Sequence, residues 1–392
     1  MYFSFGPKSV ALLLFFSFGI LFSILLLGKY LRHQQKSSAW LSGFVFLCAM
    51  YLVPWMCGYA NWYAQDGYSE ILFFIPFQHL FLIGPFIWFY TQSLLLSGRR
   101  IKAVEHLHFL PACLYLLYSL VMFVWDQWLG DAPFFYADQR DRDLDQWYQL
   151  CGGLSMLAYT LLSLRLYLRY SKRIYETISY ADEVVYHWIK RFLLSLALIL
   201  IFRIVLFIEQ PQWGEFGAKF WYYVLFGGLA GYIGLAGYGH AIREAILRSG
   251  VKQMHLVPHD IIHQAEENAT SLAEADKAIW KDRIQDLMQA EKLAYNPGLT
   301  LRELADKLST NPRQISQVIN QGFGMNFNDF VNQYRLEAVK DAFERNEHEQ
   351  HSILGIALTY GFNSKTTFNR VFKKETGMTP KQYLMQKKSA KS

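Results

Sequence analysis

Long apolar stretches separated by short polar loops make up the first part of the chain. Runs of about 20 residues with almost no charge recur up to about Ile242, and a helix of that length crosses the ~30 Å hydrocarbon core of a bilayer. Seven runs reach this length, at 10–31, 39–59, 71–95, 107–125, 149–170, 190–208 and 220–242. From Arg243 onward charge appears every few positions, so the pattern predicts a membrane part followed by a soluble part.

The composition agrees with this division. Of the 392 residues 53% are hydrophobic and 17% aromatic, but only 18% are charged, which is too apolar for an ordinary soluble protein. The first apolar run lacks a small-residue cleavage site and has its basic residues after it, so we interpret it as a retained span. The four cysteines lie in or beside apolar runs and do not have the spacing of a zinc site or a disulfide framework. We therefore expect no metal and no other cofactor.

Basic residues cluster in the loops that follow the odd-numbered spans. They are Lys29, Arg32, Lys36, Arg99, Arg100, Lys102, Arg169, Lys172, Arg173, Lys190, Arg191, Arg243, Arg248 and Lys252. Loops on the other side carry few basic residues, and the acidic loop Asp126–Asp145 lies there. Because positive loops stay in the cytoplasm, we expect the N-terminus outside and the C-terminus inside. The acidic loop lacks the glycine turn and bidentate glutamate of a calcium loop, so we expect it to be solvated.

Two polar residues within the spans are candidate ligand-binding residues. Arg203 falls in the sixth span, where a buried ion pair or a ligand carboxylate would explain it. The alternative that we favour is snorkelling of Arg203 toward Glu209 and the outer interface. His79 lies in the middle of the third span and suits a metal or proton-relay site, although a lone histidine is more often an ordinary hydrogen-bonding group. Pro76 and Pro85, with Gly84, predict a kink in the same span.

The connector at 243–295 is polar and helix-prone. Apolar residues from Ile261 to Leu293 recur at loosely helical spacing, which predicts one or two amphipathic helices. Such helices could transmit a rotation or a dimer contact to the next domain. A passive spacer is equally compatible with this pattern.

The segment LTLRELADKLSTNPRQISQVINQ has the pattern of a helix-turn-helix. Thr300 is placed to cap one helix, and Asn311 caps a second with Pro312 at its first position. On the second helix the apolar side chains point one way. The residues at i, i+3, i+4 and i+7, which point the other way, are Arg313, Ser316, Gln317 and Asn320.

A second segment, SILGIALTYGFNSKTTFNRVFKKETG, repeats this arrangement. Ser352 starts a helix, Gly361 permits the tight turn, and Ser364 caps the next helix. That helix has a buried stripe of Phe368, Val371 and Phe372, and its candidate DNA-binding residues are Lys365, Thr366, Asn369, Arg370 and Lys373. Such side chains suit phosphates and major-groove base edges. From Pro297 onward fourteen Lys and Arg stand against nine Asp and Glu, which is consistent with a polyanionic partner.

The last hundred residues resemble the DNA-binding domain of the AraC/XylS family of bacterial transcription regulators. The most specific motif comprises Ile353, Ile356, Ala357, Gly361, Phe362, Ser364, Phe368, Asn369, Arg370, Phe372, Lys373, Lys374, Gly377, Thr379 and Pro380. The resemblance covers nearly all of 296–385. It implies seven helices in two subdomains, with 312–321 and 365–374 as recognition helices entering successive major grooves about 34 Å apart. The chain also resembles a group within this family that has several membrane spans before the DNA-binding domain.

These patterns predict an all-α protein in which a seven-helix transmembrane bundle precedes a seven-helix soluble domain with two helix-turn-helix units. The expected domains are a membrane sensor at 1–242, the connector at 243–295 and the DNA-binding domain at 296–392. We interpret the chain as a one-component transcription regulator of the bacterial inner membrane, and not as an enzyme. Expected partners are double-stranded DNA, the lipid bilayer, an unidentified signal molecule, a second copy of the chain, and RNA polymerase if the protein is an activator.

Two other interpretations remain at this point. The membrane part could be an enzyme or transporter whose expression is governed by its own DNA-binding tail, with His79, Arg203 and Glu209 as the polar groups that hint at it. The tail could instead be a protein–protein module without DNA binding. The latter is disfavoured because it leaves both polar helix faces unexplained.

Overall fold

A computed structural model describes residues 5–65, 68–96, 101–132, 134–137, 141–209, 219–249 and 274–391. Every regular element within these ranges is a helix, and the β contacts there amount to an isolated antiparallel bridge between Ile178 and Thr300. The predicted all-α fold is therefore confirmed. Contacts divide the chain into two units, of which the first comprises Met1–Tyr167 with His187–His259 and the second Leu168–Tyr186 with Asp260–Ser392.

The first unit is a bundle of apolar helices. In chain order the helices up to residue 249 are α1 (Pro7–His33), α2 (Lys36–Tyr59), α3 (Tyr68–Leu72), α4 (Leu80–Leu95), α5 (Leu110–Val124), α6 (Gln146–Thr177), α7 (Ala181–Val184), α8 (His187–Glu209) and α9 (Phe220–Ser249). In the bundle α1 packs against α2 and α9, and α2 also packs against α4. The last turns of α6 and all of α7 belong to the second unit.

Five helical stretches in the described residues are long and apolar enough to cross a membrane. They are Pro7–His33, Lys36–Tyr59, Ala103–Leu129, Gln146–Thr177 and Phe220–His240. These stretches coincide with the first, second, fourth, fifth and seventh predicted spans, and α8 coincides with the sixth. The third predicted span, 71–95, is not one continuous helix, and its interruption lies near Pro76, where the sequence predicts a kink. The helix is broken between α3 and α4, and α4 alone has 16 residues, or about 24 Å at 1.5 Å per residue.

The break between α3 and α4 is held by distant side chains. The backbone N–H of Gln78 donates to the Asp143 carboxylate at 2.7 Å, and that of Leu80 donates to the Tyr148 hydroxyl at 3.1 Å. The Tyr148 hydroxyl in turn donates to the carbonyl of Gln78. Because Pro76 lacks an N–H and a helix interrupted here frees polar backbone groups, these contacts supply the partners that the helix cannot.

In the described range 274–391 the second unit contains seven α-helices. They are α10 (Glu274–Ala290), α11 (Leu301–Lys307), α12 (Pro312–Gly322), α13 (Phe327–Glu344), α14 (Ile353–Thr359), α15 (Lys365–Thr376) and α16 (Pro380–Lys391). Two separate hydrophobic cores lie within them. Side chains of α10, α11, α12 and the first half of α13 form one core, and side chains of the rest of α13 with α14, α15 and α16 form the other.

Only part of the connector can be compared with its prediction, since 250–273 lie outside the described residues. The described helix α10 falls at the end of the connector as we predicted it. Its side chains Ile284 and Met288 are 0% and 1% exposed and belong to the first core of the second unit. This end of the connector is thus packed into the fold of the C-terminal domain.

Candidate nucleic-acid interface

The helix pair α11–α12 begins with a reciprocal cap. The hydroxyl of Thr300 accepts the backbone N–H of Glu303 at 3.2 Å, and the Glu303 carboxylate accepts the N–H of Thr300 at 3.0 Å. Such a capping box pairs two backbone donors that a helix leaves unsatisfied at its start. It fixes the first helix so that its apolar side faces the core, and the buried residues are Leu301, Leu304, Ala305 and Leu308.

Helix α12 has the cap and the two faces that its sequence predicts. The side chain of Asn311 accepts the N–H of Gln314 at 2.8 Å, and Pro312 occupies the first turn. The buried face, at 0% exposure, consists of Ile315, Val318 and Ile319. Of the candidate contact residues, Arg313 and Asn320 are exposed, while Ser316 and Gln317 are half-buried.

The second pair, α14–α15, is built in the same way. Ser352 accepts the N–H of Gly355 at 3.0 Å, and Ser364 accepts that of Thr367 at 3.2 Å. Gly361, in the turn between these helices, has φ of +92°, and a Cβ placed there would lie 2.6 Å from the carbonyl oxygen of Ala294. The turn therefore requires glycine both for its conformation and for space.

Helix α15 exposes every one of its predicted contact residues. Phe368, Val371 and Phe372 are buried as predicted, and the exposed residues are Lys365, Thr366, Asn369, Arg370 and Lys373. No acidic residue lies in the first turn of either α12 or α15. At α12 the positive end of the helix dipole is thus free of a competing carboxylate in its own first turn, which favours a phosphate there, whereas at α15 the Glu183 carboxylate hydrogen-bonds the capping Ser364.

A buried polar centre between the two cores was missed by the sequence reasoning. Arg335 on α13 is 1% exposed, and its guanidinium donates to the carbonyl oxygens of Ala294 and Asn296 at 2.7 and 2.8 Å. Burial lowers its pKa to about 10, so it remains charged at neutral pH. The signal was present in the sequence, because Asn328, Asn332 and Arg335 form a polar stripe at i, i+4 and i+7 on an otherwise apolar helix face.

In the first unit, Arg203 is buried in a polar network. It is 1% exposed and donates to the Tyr51 hydroxyl at 3.2 Å and to the Gln149 side-chain oxygen at 2.5 Å. A Cβ added at Gly153 would overlap the guanidinium, so this glycine makes room for it. The expected snorkelling of Arg203 toward the interface is wrong, because hydrogen-bonding partners in the bundle offset the cost of burial.

His79, the other candidate, is half-buried and is the residue immediately before α4. Its neighbour Gln78 belongs to the Arg203 network, since the Gln78 side-chain oxygen accepts from the side-chain amide of Gln149 at 2.6 Å. The network thus reaches the residue next to His79.

Three carboxylates of the acidic loop Asp126–Asp145 are buried, so the prediction of a solvated loop is wrong for these three. Asp126, Asp141 and Asp143 are 6%, 6% and 2% exposed. Asp126 accepts the backbone N–H groups of Phe134, Phe135 and Tyr136. Burial raises the pKa of Asp143 to about 6, and burial together with the Asp143 charge raises the pKa of Asp141. Within the described ranges, no group of His, Cys, Asp or Glu is arranged to hold a metal ion.

Two capped helix pairs on two small cores, each presenting a polar helix face, define a helix-turn-helix DNA-binding protein. The profile of the helix-turn-helix domain matches residues 304–386, which include both pairs from Leu304 onward. No solved structure gives a significant match to the chain.

Curated relatives agree with this class. The chain is 33% identical over 93 residues, 24% of its length, to the probable transcription factor PqrA of Proteus vulgaris, and the match covers 73% of that protein. It is 30% identical over 102 residues, 26% of its length, to uncharacterized HTH-type transcriptional regulators of Staphylococcus aureus strains COL and MSSA476. The match spans only 13% of the length of those two proteins. Through its C-terminal domain the chain belongs to the AraC-type helix-turn-helix family of transcription regulators.

Proposed function

We propose that the protein is a membrane-bound one-component transcription regulator that binds double-stranded DNA through α12 and α15. The observation that carries the proposal is the pair of capped helices, each with a buried apolar side and an accessible polar side. A DNA-binding protein that contacts two successive major grooves needs two such helices in one unit. A polar helix face that only contacts water would not require two capped helix pairs of this kind.

The chemistry of the exposed residues suits DNA. Arg313 and Arg370 can donate bidentate hydrogen bonds to guanine, and Asn369 can pair with adenine in the same groove. Lys365 and Lys373 carry the charge that phosphates need, while Thr366, Ser316, Gln317 and Asn320 add short polar contacts. We infer that these nine side chains form the DNA-contacting surface.

The membrane location is supported by the apolar surface of the first unit. Large aliphatic side chains point outward from several helices, among them Ile24 at 62% exposure on α1, Leu198 at 68% on α8 and Leu235 at 60% on α9. In water such continuous apolar faces would be unfavourable, whereas in lipid they are the expected surface. We propose seven crossings, with α3 and α4 together forming the third, the N-terminus outside and the DNA-binding domain in the cytoplasm.

The sensing site is proposed to lie at the buried network that includes Arg203. Polar and charged groups inside a membrane bundle are costly and usually functional, and here Arg203, Gln149 and Gln78 are linked across three elements next to His79. A change of packing around this network would reach the DNA-binding domain through the chain. Dimerisation, and contact with RNA polymerase if the protein activates transcription, belong to the same proposal.

Binding of the full-length protein in lipid nanodiscs to labelled duplexes tests the DNA-reading function. Duplexes of about 30 base pairs, long enough for two grooves on one face, would first be selected by the protein from a random library. The double substitution Arg370→Ala with Lys373→Ala should weaken binding at least tenfold and flatten the salt dependence by about two charges.

A matched control removes two positive charges from other helices, Lys307→Ala on α11 with Lys340→Ala on α13. It should change affinity far less than the α15 pair. Binding that survives the α15 substitutions, or that shows no salt dependence, would contradict the proposal. Chromatin immunoprecipitation of the intact protein would then identify the target genes.

A further inference from the structure

A short segment that follows α6 is integrated into the second unit. Of its residues Ile178, Ser179 and Ala181 are 1%, 1% and 0% exposed. In the proposed topology this segment lies in the loop between the fifth and sixth spans. A cytoplasmic loop of the membrane half therefore contributes to the fold that contains the DNA-binding helices.

The backbone of this segment is hydrogen-bonded to α13 and to Leu299, just before α11. The N–H of Ser179 donates to the Leu299 carbonyl at 3.1 Å, next to the bridge between Ile178 and Thr300. The Arg335 guanidinium donates to the Ser179 carbonyl at 3.1 Å and to its hydroxyl at 2.9 Å. Asn328 donates to the same carbonyl at 2.9 Å. A buried cation that has this many acceptors is costly to separate from them, so the anchor is specific.

Beyond the anchor, Asp182 contacts the DNA-reading face itself. One of its carboxylate oxygens accepts the Tyr175 hydroxyl at 2.8 Å, and the other forms an ion pair with the guanidinium of Arg370. The Asp182 side chain is 10% exposed and that of Arg370 44%. Arg370, one of the proposed base or phosphate contacts on α15, is therefore already paired with a carboxylate of the same chain.

We propose that residues 178–183 are an intramolecular docking segment for the DNA-binding domain and that Asp182 competes with DNA for Arg370. The proposal rests on the proposed DNA-reading function of α15. Ser179 holds the segment in place through Arg335, and Asp182 takes the position that a phosphate or a guanine edge would take on the guanidinium. DNA can use Arg370 fully only when this ion pair opens.

The competition lowers DNA affinity for two physical reasons. Opening the pair leaves the mostly buried Asp182 carboxylate without its cation, which costs free energy. The same carboxylate also repels the approaching phosphates. Because the segment directly follows α6 in the chain, a displacement at the end of α6 would act on Arg370 without an intermediate element.

Removal of the Asp182 charge in the full-length protein tests this inference. Asp182→Asn keeps the size of the side chain and leaves an oxygen for Tyr175, but it ends the competition. In nanodiscs, Asp182→Asn should bind the selected duplex about three to thirty times more tightly than the wild type, the range expected for a partly buried ion pair. In the Arg370→Gln background the same substitution should give a much smaller gain, because only the repulsion between the carboxylate and the phosphates is then relieved.

The matched control is Glu176→Gln, which removes a negative charge from the last turn of α6, just before the segment. Glu176 pairs with Lys172 at 3.9 Å and not with the DNA-reading helix. It should therefore leave affinity nearly unchanged. Hydrogen exchange in the peptide that contains Ser179 should be the same in the wild type and in Asp182→Asn, which would show that the anchor remains folded.

The outcomes separate the two proposals. No gain in Asp182→Asn, an equal gain in Glu176→Gln, or an undiminished gain in the Arg370→Gln background would overturn the docking proposal while DNA reading stands. If neither the wild type nor any variant binds duplex DNA, the DNA-reading function fails and the competition fails with it.

Discussion

The carboxylate of Asp143 accepts the backbone N–H of Gln78, 65 residues earlier in the chain, at 2.7 Å, and so supplies an acceptor at the break between α3 and α4. Its other oxygen accepts the Tyr115 hydroxyl, also at 2.7 Å. Asp141 lies beside it and accepts the N–H of Asp143 at 2.9 Å. Two carboxylates are thus buried together in the acidic loop, and each is most stable there when the other carries no charge.

The first prediction concerns pH. Because burial raises the pKa of Asp143 to about 6, the folded protein binds more protons than the unfolded chain between roughly pH 4 and pH 6. The free energy of unfolding is therefore highest at the acid end of this pH window, and it falls as pH rises through about 6. The apparent Tm of the detergent-solubilised protein, followed by tryptophan fluorescence, should be several degrees higher at pH 5 than at pH 7.5.

Asp143→Asn imitates the protonated carboxyl group and should raise the Tm at pH 7.5 toward the value of the wild type at pH 5. It should also flatten the pH dependence. The control is Asp131→Asn in the same loop, because Asp131 is exposed. A Tm that rises with pH in the wild type would refute this account of the pair.

A second prediction concerns the turn between α14 and α15. Gly361→Ala forces a side chain into a left-handed conformation and against the carbonyls of Ala294 and Tyr295. We expect a loss of about 1–3 kcal/mol in the stability of the second unit. Gly377→Ala is the control, because Gly377 also has a positive φ, of +74°, but no atom lies within 4 Å of its added Cβ. Its cost should be about 1 kcal/mol. Equal losses in urea unfolding would show that the close approach at Gly361 is unimportant.

The C-terminal domain could be predicted from its sequence largely because its determinants are local. A cap at Thr300, Asn311, Ser352 or Ser364 depends on a hydrogen bond to a backbone group three residues later, and all four caps are present. The apolar faces follow from helical periodicity in the same way.

What could not be predicted depends on contacts between distant residues. Pro76 and Pro85 gave equal local reasons for a kink, yet Pro85 lies inside α4 and the chain breaks near Pro76. The two prolines differ because Asp143 and Tyr148 supply hydrogen-bond partners for the free backbone groups near Pro76. The proximity of these side chains depends on the tertiary structure, which the local sequence does not show. Likewise nothing local in ISYADE, residues 178–183, marks it as the partner of Arg335.

A third prediction compares the N-cap of α15, the proposed DNA-contacting helix, with the N-cap of α14, the helix that precedes it. Ser364→Ala removes the hydroxyl that accepts the Thr367 N–H, and Ser352→Ala removes the matching group at Gly355. Each should cost about 1 kcal/mol and speed hydrogen exchange in the first turn of its own helix. Only Ser364→Ala frays the start of α15, so we expect it to weaken DNA binding severalfold and Ser352→Ala to change it little. Equal effects on affinity would mean that α15 is not the reading helix.

The last prediction concerns the space that holds Arg203. In a helix interior, Gly→Ala ordinarily adds up to about 1 kcal/mol of stability. Gly228→Ala on α9 should follow this rule, because its nearest contact would be an ordinary 3.9 Å approach to Phe15. Gly153→Ala on α6 should do the opposite and lower the apparent Tm, because the new methyl group overlaps the Arg203 guanidinium and would displace it from Tyr51 and Gln149.

The Arg203→Gln background separates overlap from other causes. Glutamine is shorter than arginine, so Gly153→Ala should cost much less there than in the wild type, and the two substitutions should be strongly non-additive. Additive losses in Tm would show that the Gly153 backbone, and not the room for Arg203, is what the bundle requires. Strong coupling between the two substitutions would identify α6 as the element that responds when the buried arginine is displaced. This helix leads directly into the docking segment.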